Sequence, residues 1–153
     1  MEPLQQLMEL EAIRRLKARY FRLFDTKDWQ NWAQVFTPDA SLQFDLAVST
    51  RGRDGEPAPA LVGRDAIIAY VSRASADDET VHHGHTPEID FVGENEARGI
   101  WAMEDIVDRG DHVIHGFGHY HETYLKQDGE WRIASVHLTR TRLSQTFRGR
   151  VAV

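Results

Sequence analysis

Apolar residues recur at intervals of three and four from Leu4 to Phe24, and this pattern predicts one amphipathic helix with a single buried stripe. The stripe consists of Leu7, Leu10, Ile13, Leu16, Tyr20, Leu23 and Phe24. Charged side chains fill positions between them, namely Glu9, Glu11, Arg14, Arg15, Lys17 and Arg19. One face of this helix is therefore expected to pack against a core.

A break, a short second helix and a strand follow the first helix. Asp25-Thr26-Lys27-Asp28 interrupts the periodicity, and Asp28 suits the N-cap of a helix that Thr37-Pro38-Asp39 ends. The apolar residues of this helix are Trp29, Trp32, Val35 and Phe36. Beyond it, Leu42, Phe44 and Leu46 alternate with polar residues, which predicts a half-buried strand.

The middle of the chain contains a loop and a third helix. Residues 49–60 hold two Gly, two Pro and four charged residues without periodicity, which is typical of a loop. A loop of this length in a small domain is often a lid or a binding loop. Gly63-Arg64-Asp65 then opens a helix whose Ile67, Ile68 and Val71 are expected to face inward.

Strand patterns occupy the rest of the chain. The predicted strands are Val81–Phe91, Ala97–Val107, His112–Lys126 and Trp131–Leu143. Each break between them carries the Gly, Asn or Asp that a hairpin turn requires. Helices gathered early and strands gathered late predict an α+β domain, in which three N-terminal helices pack on a curved, mainly antiparallel sheet. Residues from about 144 to 153 are expected to form a tail.

Length, charge and composition limit the class of protein further. At 153 residues and a hydrophobic fraction of 41%, the chain is expected to form a single soluble domain over residues 1–153. Its net charge of -6 argues against a nucleic-acid partner, and its longest apolar runs fall short of the roughly 18 residues that a membrane span requires. The chain has no cysteine and no signal-peptide pattern, so disulfides are excluded and the cytoplasm is the expected location.

The clearest chemical signal is a cluster of histidines at the start of the strand from Val81. Three of the chain's eight histidines, His82, His83 and His85, fall within four positions. Histidine changes charge near neutral pH, so such a cluster indicates acid–base chemistry. A polar surface turn, a buried hydrogen-bonded histidine and half of a metal site are the alternatives that the residues leave open.

Four further groups could complete a site, and each also has a structural explanation. Tyr20 lies on the apolar stripe, where a tyrosine is more often part of the core, and Asp25 could be a helix-terminus acceptor. Asp105 shares its strand parity with apolar neighbours, although it could be a solvated strand end. Arg140 lies near the end of the last strand, where an exposed basic face would also account for it.

A metal site is the competing interpretation of the histidines. His119-x-His121 presents two imidazoles on one strand face, which is a common arrangement of metal ligands. A cupin-like site would need a carboxylate about four to five residues later, where this chain has Leu125 and Lys126. The sequence therefore predicts neither a metal nor a cofactor.

The order of elements and several motifs point to a known superfamily. Tyr20-x4-Asp25 followed by His82-x-Gly-His85-x-Pro-x-Ile89 resembles the SnoaL-like branch of the nuclear-transport-factor-2-like superfamily, over about residues 5–143. Further motifs of that branch are Gly63-Arg64-x-x-Ile67, Gly99-x-Trp101, Gly118-x-Tyr120-x-x-x-Tyr124 and Asp128-Gly129-x-Trp131-x-Ile133. The resemblance implies a cone-shaped α+β barrel, open at one end, with a deep apolar pocket between the first helices and the concave sheet.

The resemblance also implies roles for individual residues. Asp25 matches the aspartate of a catalytic dyad, and His82 matches its general base. Tyr20 matches a position that holds tyrosine in the bile-acid 7α-dehydratases and lysine in hexachlorocyclohexane dehydrochlorinase, while Asp105 and Arg140 match further pocket groups of the bile-acid enzymes. The catalytic set is therefore Asp25, His82, Tyr20 and Asp105. The residues expected to bind substrate are His85, Arg140, Trp101, Met103 and Phe44.

The expected function is that of a cofactor-independent lyase or isomerase of the dehydratase type, acting on a small hydrophobic cyclic molecule such as a steroid or a polyketide. Because three histidines crowd one stretch, His83 or His85 could take the place of His82. The alternative is a small-ligand-binding protein without catalysis, or the small subunit of a ring-hydroxylating dioxygenase, since the superfamily reuses its fold. We expect a homo-oligomer, either a dimer or a trimer, with no membrane or nucleic-acid partner.

Overall fold

The structure, a computed structural model, describes residues 1–48 and 59–149. Most of the predicted loop at 49–60, and residues 150–153 of the predicted tail, lie outside the described residues. The described chain contains three helices, which are α1 (Pro3–Asp25), α2 (Trp29–Ala33) and α3 (Arg64–Ala74).

A six-stranded curved sheet completes the described chain. Its strands are β1 (Phe36–Phe44), β2 (Leu61–Val62), β3 (Glu79–Phe91), β4 (Glu96–Asp108), β5 (His112–Gln127) and β6 (Glu130–Phe147). They lie in the order β2-β1-β6-β5-β4-β3, in which β1 and β6 are parallel and all other neighbours are antiparallel. Three helices on a mainly antiparallel sheet, which stays unclosed among these residues, confirm the predicted α+β fold.

Helix α1 buries its apolar stripe only from Ile13 onward. Ile13 and Tyr20 are buried, whereas Leu7, predicted to belong to the stripe, is exposed in the second turn. The prediction for Lys17 is also wrong, because this residue is fully buried. Lys17 follows Ile13 by four residues and precedes Tyr20 by three, and this spacing puts its side chain on the apolar stripe.

The second helix is shorter than the sequence pattern predicts. Helix α2 ends at Ala33 and β1 starts at Phe36, so Thr37-Pro38-Asp39 lies inside a strand instead of ending a helix. Strand β1 has a register irregularity between Phe36 and Ser41 where it pairs with β6. Pro38 has no N–H for a ladder hydrogen bond, and the irregular part of the strand accommodates it.

The alternation predicted for β1 holds through Phe44 and fails after it. Leu42 is buried and Phe44 packs against the core, but Leu46 lies beyond the strand and is 76% exposed. Asp45 is buried instead, and its carboxylate contacts Nε2 of His137 at 2.9 Å. A hydrogen-bond partner on β6 makes the burial of this polar group possible.

The last strand is longer than predicted. Residues 144–147, assigned to a tail from the sequence, continue β6 as far as Phe147, which pairs with His112 of β5. The backbone N–H of Arg148 then donates to the carbonyl of Asp111 at 2.9 Å. The long β5 strand therefore supplies a pairing partner that the local pattern of residues 144–147 does not reveal.

Alternation along the strands separates an inner face, on which the helices pack, from an outer face. Residues that pair across antiparallel strands point to the same side, so His82, Asp105 and Gly116 share the inner face. Among the described residues, none of the helices combines the length and the apolar character that crossing a bilayer requires.

Candidate active site

The carboxylate of Asp25 meets the imidazole of His82 where α1 ends beside β3. Asp25 Oδ1 lies 2.6 Å from His82 Nδ1, and Asp25 Oδ2 accepts a 2.9 Å hydrogen bond from the His82 backbone N–H. The Thr80 hydroxyl donates to Oδ1 at 2.9 Å. Because an ionised carboxylate can only accept, Nδ1 carries the ring hydrogen and Nε2 is the nitrogen left to act as a base.

Burial and hydrogen bonding act on Asp25 in opposite directions. Burial raises the pKa of the Asp25 carboxyl, but the hydrogen bond and charge of the His82 ring, with the bonds from the His82 N–H and Thr80, lower it by more. The pKa therefore lies below its usual value. The Asp25 side chain is 23% exposed and the His82 side chain 9%, so the pair is largely shielded from water.

Aromatic rings of α1 hold the imidazole from two sides. The Phe24 ring meets the His82 ring edge to face at 4.6 Å between centres, and the Phe21 ring lies parallel to it at 6.5 Å. Gly84, two residues after His82 on the same face, makes room for this arrangement. A Cβ atom at Gly84 would lie 2.6 Å from the Phe21 ring, so a larger residue would push Phe21 away.

Asp105 and Arg140 form a buried ion pair next to the dyad. Asp105 is the cross-strand neighbour of His82, and its side chain is 5% exposed. The Arg140 guanidinium binds both carboxylate oxygens of Asp105, at 2.6 and 2.8 Å. A bidentate pair of this kind fixes both groups in orientation. Gly116 lies under the pair, where any Cβ atom would overlap both side chains.

Tyr20 is buried in an aromatic cluster between α1, α2 and the sheet. Its ring packs against Trp32 at 5.4 Å, Phe36 at 5.9 Å and Tyr120 at 6.1 Å between centres. Burial, followed by the nearby carboxylates of Glu122, Asp105 and Asp25, raises the pKa of Tyr20 well above its usual value. The phenol therefore keeps its hydrogen and can donate it in a hydrogen bond.

Sequence reasoning missed a second charged pair, formed by Lys17 and Glu122. The Lys17 ammonium contacts the Glu122 carboxylate, and neither side chain is exposed. Glu122 shares the inner face of β5 with Tyr120 and Tyr124. The sequence contained signals of this pair. Helical spacing puts Lys17 on the apolar stripe, and strand alternation puts Glu122 on the same face of β5 as two tyrosines.

Of the residues expected to bind substrate, three lie on or against the core. Trp101 and Met103 are buried on the inner face of β4, and Phe44 packs against the core from β1. The prediction for His85 is wrong. Strand β3 turns His82 and Gly84 inward, so His85 lies on the exposed outer face.

The two histidines of the competing metal interpretation also lie on the outer face. His119 and His121 have ring centres 6.4 Å apart, and Nε2 of His121 contacts the Thr139 hydroxyl at 3.2 Å. Across residues 1–48 and 59–149, no three His, Asp or Glu side chains converge as a metal site would require. The expectation of a site without metal or cofactor stays a prediction.

A surface groove of about 720 Å³ lies away from this site. It runs between α1, α2 and the start of β6, and Arg15, Arg19 and Arg22 form part of its wall. Neither Asp25 nor His82 lines it. The candidate site is the inner face of the sheet, where His82 lies opposite Asp105 and the Tyr20 ring packs against Tyr120.

The fold and these residues can be compared with known proteins. Residues 5–137 match the SnoaL-like domain family. The chain belongs to this family. The predicted resemblance is thereby confirmed, and the SnoaL-like match includes α1, the dyad and most of the sheet.

Three relatives are similar in sequence to most of this SnoaL-like chain. A probable cyclase of Gibberella zeae is 27% identical over 135 residues, which cover 84% of this chain and 88% of the relative. A protein of unknown function from Mycobacterium tuberculosis is 28% identical with a TM-score of 0.76, covering 93% and 78% of the two chains. A candidate scytalone dehydratase from Novosphingobium aromaticivorans is 25% identical with a TM-score of 0.75, covering 91% and 88%.

Proposed function

We propose that this SnoaL-like protein is a cofactor-independent lyase or isomerase that removes a proton from a small hydrophobic cyclic molecule, such as a steroid or a polyketide. The observation that carries the proposal is the 2.6 Å contact between Asp25 and His82 among buried aromatic rings. The relatives support a reaction of this class, because they include a probable cyclase and a candidate scytalone dehydratase.

The reaction begins with His82 as general base. Nε2 takes a proton from a substrate carbon, and the electrons of the broken C–H bond form a new carbon–carbon double bond. In elimination, the hydroxyl on the adjacent carbon leaves with the bonding electrons and takes the proton that His82 carries, so water forms and the base is regenerated. In isomerisation, an existing double bond shifts as the new one forms, and His82 returns the proton to the carbon at its far end. Asp25 fixes the tautomer and stabilises the imidazolium that forms, as its ionised state allows.

The neighbouring groups assist at the substrate oxygen and at the base. Tyr20 donates a hydrogen bond to the oxygen on which negative charge grows or from which the hydroxyl leaves. Asp105, held by Arg140, places a carboxylate on the cross-strand side of His82 and supports the imidazolium. Trp101 and Met103 provide apolar surface for the ring system of the substrate.

Substitution of His82 tests the proposal. Hydroxylated steroids and polyketides are first screened by liquid chromatography and mass spectrometry, for loss of water and for isomers of unchanged mass, and turnover of the substrate found is then compared between variants. His82→Ala is expected to lower kcat by about 10² to 10⁴, because general-base catalysis contributes about that factor. His83→Ala is the matched control, since His83 lies one residue away on the outer face and is expected to leave kcat unchanged.

Two results would contradict the proposal. An unchanged rate in His82→Ala would exclude His82 as the base. A ligand that binds the native protein and is recovered chemically unchanged from every assay would favour the alternative of a binding protein without catalysis. The expected dimer or trimer stays a prediction.

A further inference from the structure

The Lys17–Glu122 pair lies inside the fold and has no part in the mechanism above. Both side chains are without exposed surface. A buried charge is costly unless it is paired, and even a paired charge is often no more stabilising than apolar residues of the same volume. Stability alone therefore explains this pair poorly, and its surroundings suggest another role.

The Lys17 ammonium lies against the faces of aromatic rings. Its Nζ is 3.6 Å from the ring centre of Tyr120, 4.1 Å from that of Tyr20 and 4.7 Å from that of Phe21. Such contacts are attractive because the face of an aromatic ring carries partial negative charge. Phe21 in turn stacks on the imidazole of His82, so the ammonium is one ring away from the proposed base.

Glu122 limits where the ammonium can move. One carboxylate oxygen of Glu122 contacts Lys17, and the other accepts a hydrogen bond from the Tyr124 hydroxyl. That hydroxyl accepts a 2.8 Å hydrogen bond from Nε1 of Trp101. Side chains of α1, β4 and β5 are thus joined in one connected chain that holds Lys17 against the tyrosine rings.

We infer that Lys17, held by Glu122, is a positioning residue for the Tyr20 phenol. Its ammonium fixes the Tyr20 ring and supplies positive charge at the face of that ring. The inference rests on the proposed function, in which Tyr20 donates a hydrogen bond to a substrate oxygen as negative charge grows there.

The charges around Tyr20 explain why a cation is needed at this point. Besides burial, the carboxylates of Glu122, Asp105 and Asp25, on β5, β4 and α1, raise the pKa of Tyr20. From β6, the Arg140 guanidinium is engaged with both oxygens of Asp105. Negative charge on a substrate oxygen beside Tyr20 would be disfavoured by these carboxylates, and the Lys17 ammonium in contact with the ring offsets them.

The first test needs no substrate. The full chain is labelled with a tyrosine that is fluorinated at several ring positions, whose intrinsic pKa is low enough for Tyr20 to ionise while the chain stays folded and Lys17 stays charged, and each ¹⁹F signal is followed against pH. Tyr20→Phe identifies the Tyr20 signal. Lys17→Met removes a positive charge and is expected to raise the pKa of Tyr20, whereas Glu122→Gln removes a negative charge and is expected to lower it.

The directions in which the two substitutions shift the pKa of Tyr20 show whether the Lys17–Glu122 pair acts through its charges or only fills space. If the pair only filled space, both substitutions would loosen the same region and move the pKa of Tyr20 in the same direction, toward its ordinary value. Shifts of the same sign, or none, would overturn the inference. The matched control is Lys126→Met, since Lys126 also pairs with a carboxylate, that of Glu9 at 2.6 Å, and is expected to leave the Tyr20 signal unchanged.

A double variant separates positioning from folding. Lys17→Met alone leaves Glu122 buried without a counter-charge. Lys17→Met/Glu122→Gln removes both charges and keeps an acceptor for the Tyr124 hydroxyl, so it is expected to keep a melting temperature close to the native one. With the substrate found in the screen, the kcat of this variant is expected to fall by about tenfold or more while KM changes little. A displacement of a catalytic group by ~1 Å can lower the rate about 100-fold. Native kcat in this variant would overturn the inference. If no substrate is found, the proposed function fails, and the ¹⁹F titration still decides whether Lys17 acts on Tyr20.

Discussion

Asp25 occupies a position that helix electrostatics disfavours. It is the last residue of α1, and the C-terminal end of a helix carries partial negative charge, which favours cations. The hydrogen bonds that hold the carboxylate come from Thr80 and His82 of β3. A carboxylate kept at an unfavourable helix end by groups of another element is better explained by chemistry than by helix stability.

The pH dependence of stability should reveal this arrangement. The pKa of Asp25 is lowered in the folded chain, so its contribution to stability is present above the unfolded value of about 3.9 and is lost as pH falls through the folded value. We expect Asp25→Asn to be less stable than the native protein at pH 7. The difference should shrink as the pH falls from about 4 toward the folded pKa, in urea unfolding followed by circular dichroism. A difference that does not vary with pH would contradict the predicted state of this carboxyl.

At the residue scale, the sequence predicted one contact but not the orientation of the neighbouring side chains. The contact of Asp25 with His82 was expected, and the structure contains it. The expectation for His85 failed because residue types do not determine which of three neighbouring histidines points inward. That depends on the register of β3 against β4, where His82 lies opposite Asp105. Lys17 was missed because its charge led to its assignment to the polar face of α1, although its helical spacing puts it on the apolar stripe.

At the scale of elements, the sequence predicted which helices and strands are present, but not where several of them begin or end. The four long strands follow from alternation and turn residues, and all of them are present. The start of β1 and the end of β6 depend on pairing with residues far along the chain. Phe36 pairs with Ile133 and Phe147 pairs with His112, and no local pattern contains that information.

The close approach of β5 and β6 at Gly118 provides a test at this scale. The pairing of the two strands shifts between Phe117 and Gly118, and a Cβ atom at Gly118 would overlap the backbone carbonyl of Thr139. Because a backbone cannot move aside as a side chain can, Gly118→Ala should lower the free energy of unfolding by at least ~3 kcal/mol, at the upper end of overpacking costs. Gly93→Ala is the control, since nothing lies within 4 Å of its Cβ position, and its effect should stay within about 0.5 kcal/mol. Equal effects in urea unfolding would show that the approach of the strands does not require glycine.

At the scale of the whole molecule, the interior is more polar than the resemblance implied. The expected pocket was apolar, yet the inner side of the sheet buries the Lys17–Glu122 and Asp105–Arg140 pairs. Tyr20, Tyr120 and Tyr124 are buried with them. Each charge of these two pairs has a partner of opposite charge inside the fold, as the burial of charged groups requires.

The buried tyrosines should also set the alkaline limit of the fold. Burial raises the pKa of Tyr20, Tyr120 and Tyr124 well above the ordinary value of about 10. Each of these tyrosines contributes stability that is fully present below about pH 10 and is lost as pH rises through its folded pKa. The loss is about 1.4 kcal/mol per pH unit for each tyrosine. Burial lowers the pKa of Lys17, so its contribution to stability rises with pH until the unfolded value of about 10.4 is reached. This gain offsets part of the loss from the tyrosines. In an absorbance titration we therefore expect Tyr20, Tyr120 and Tyr124 to ionise only together with the loss of circular dichroism. Ionisation of these three tyrosines near pH 10 in a chain that keeps its native spectrum would mean that their phenols are open to water, and the aromatic cluster around Tyr20 could not then hold a hydrogen-bond donor in place.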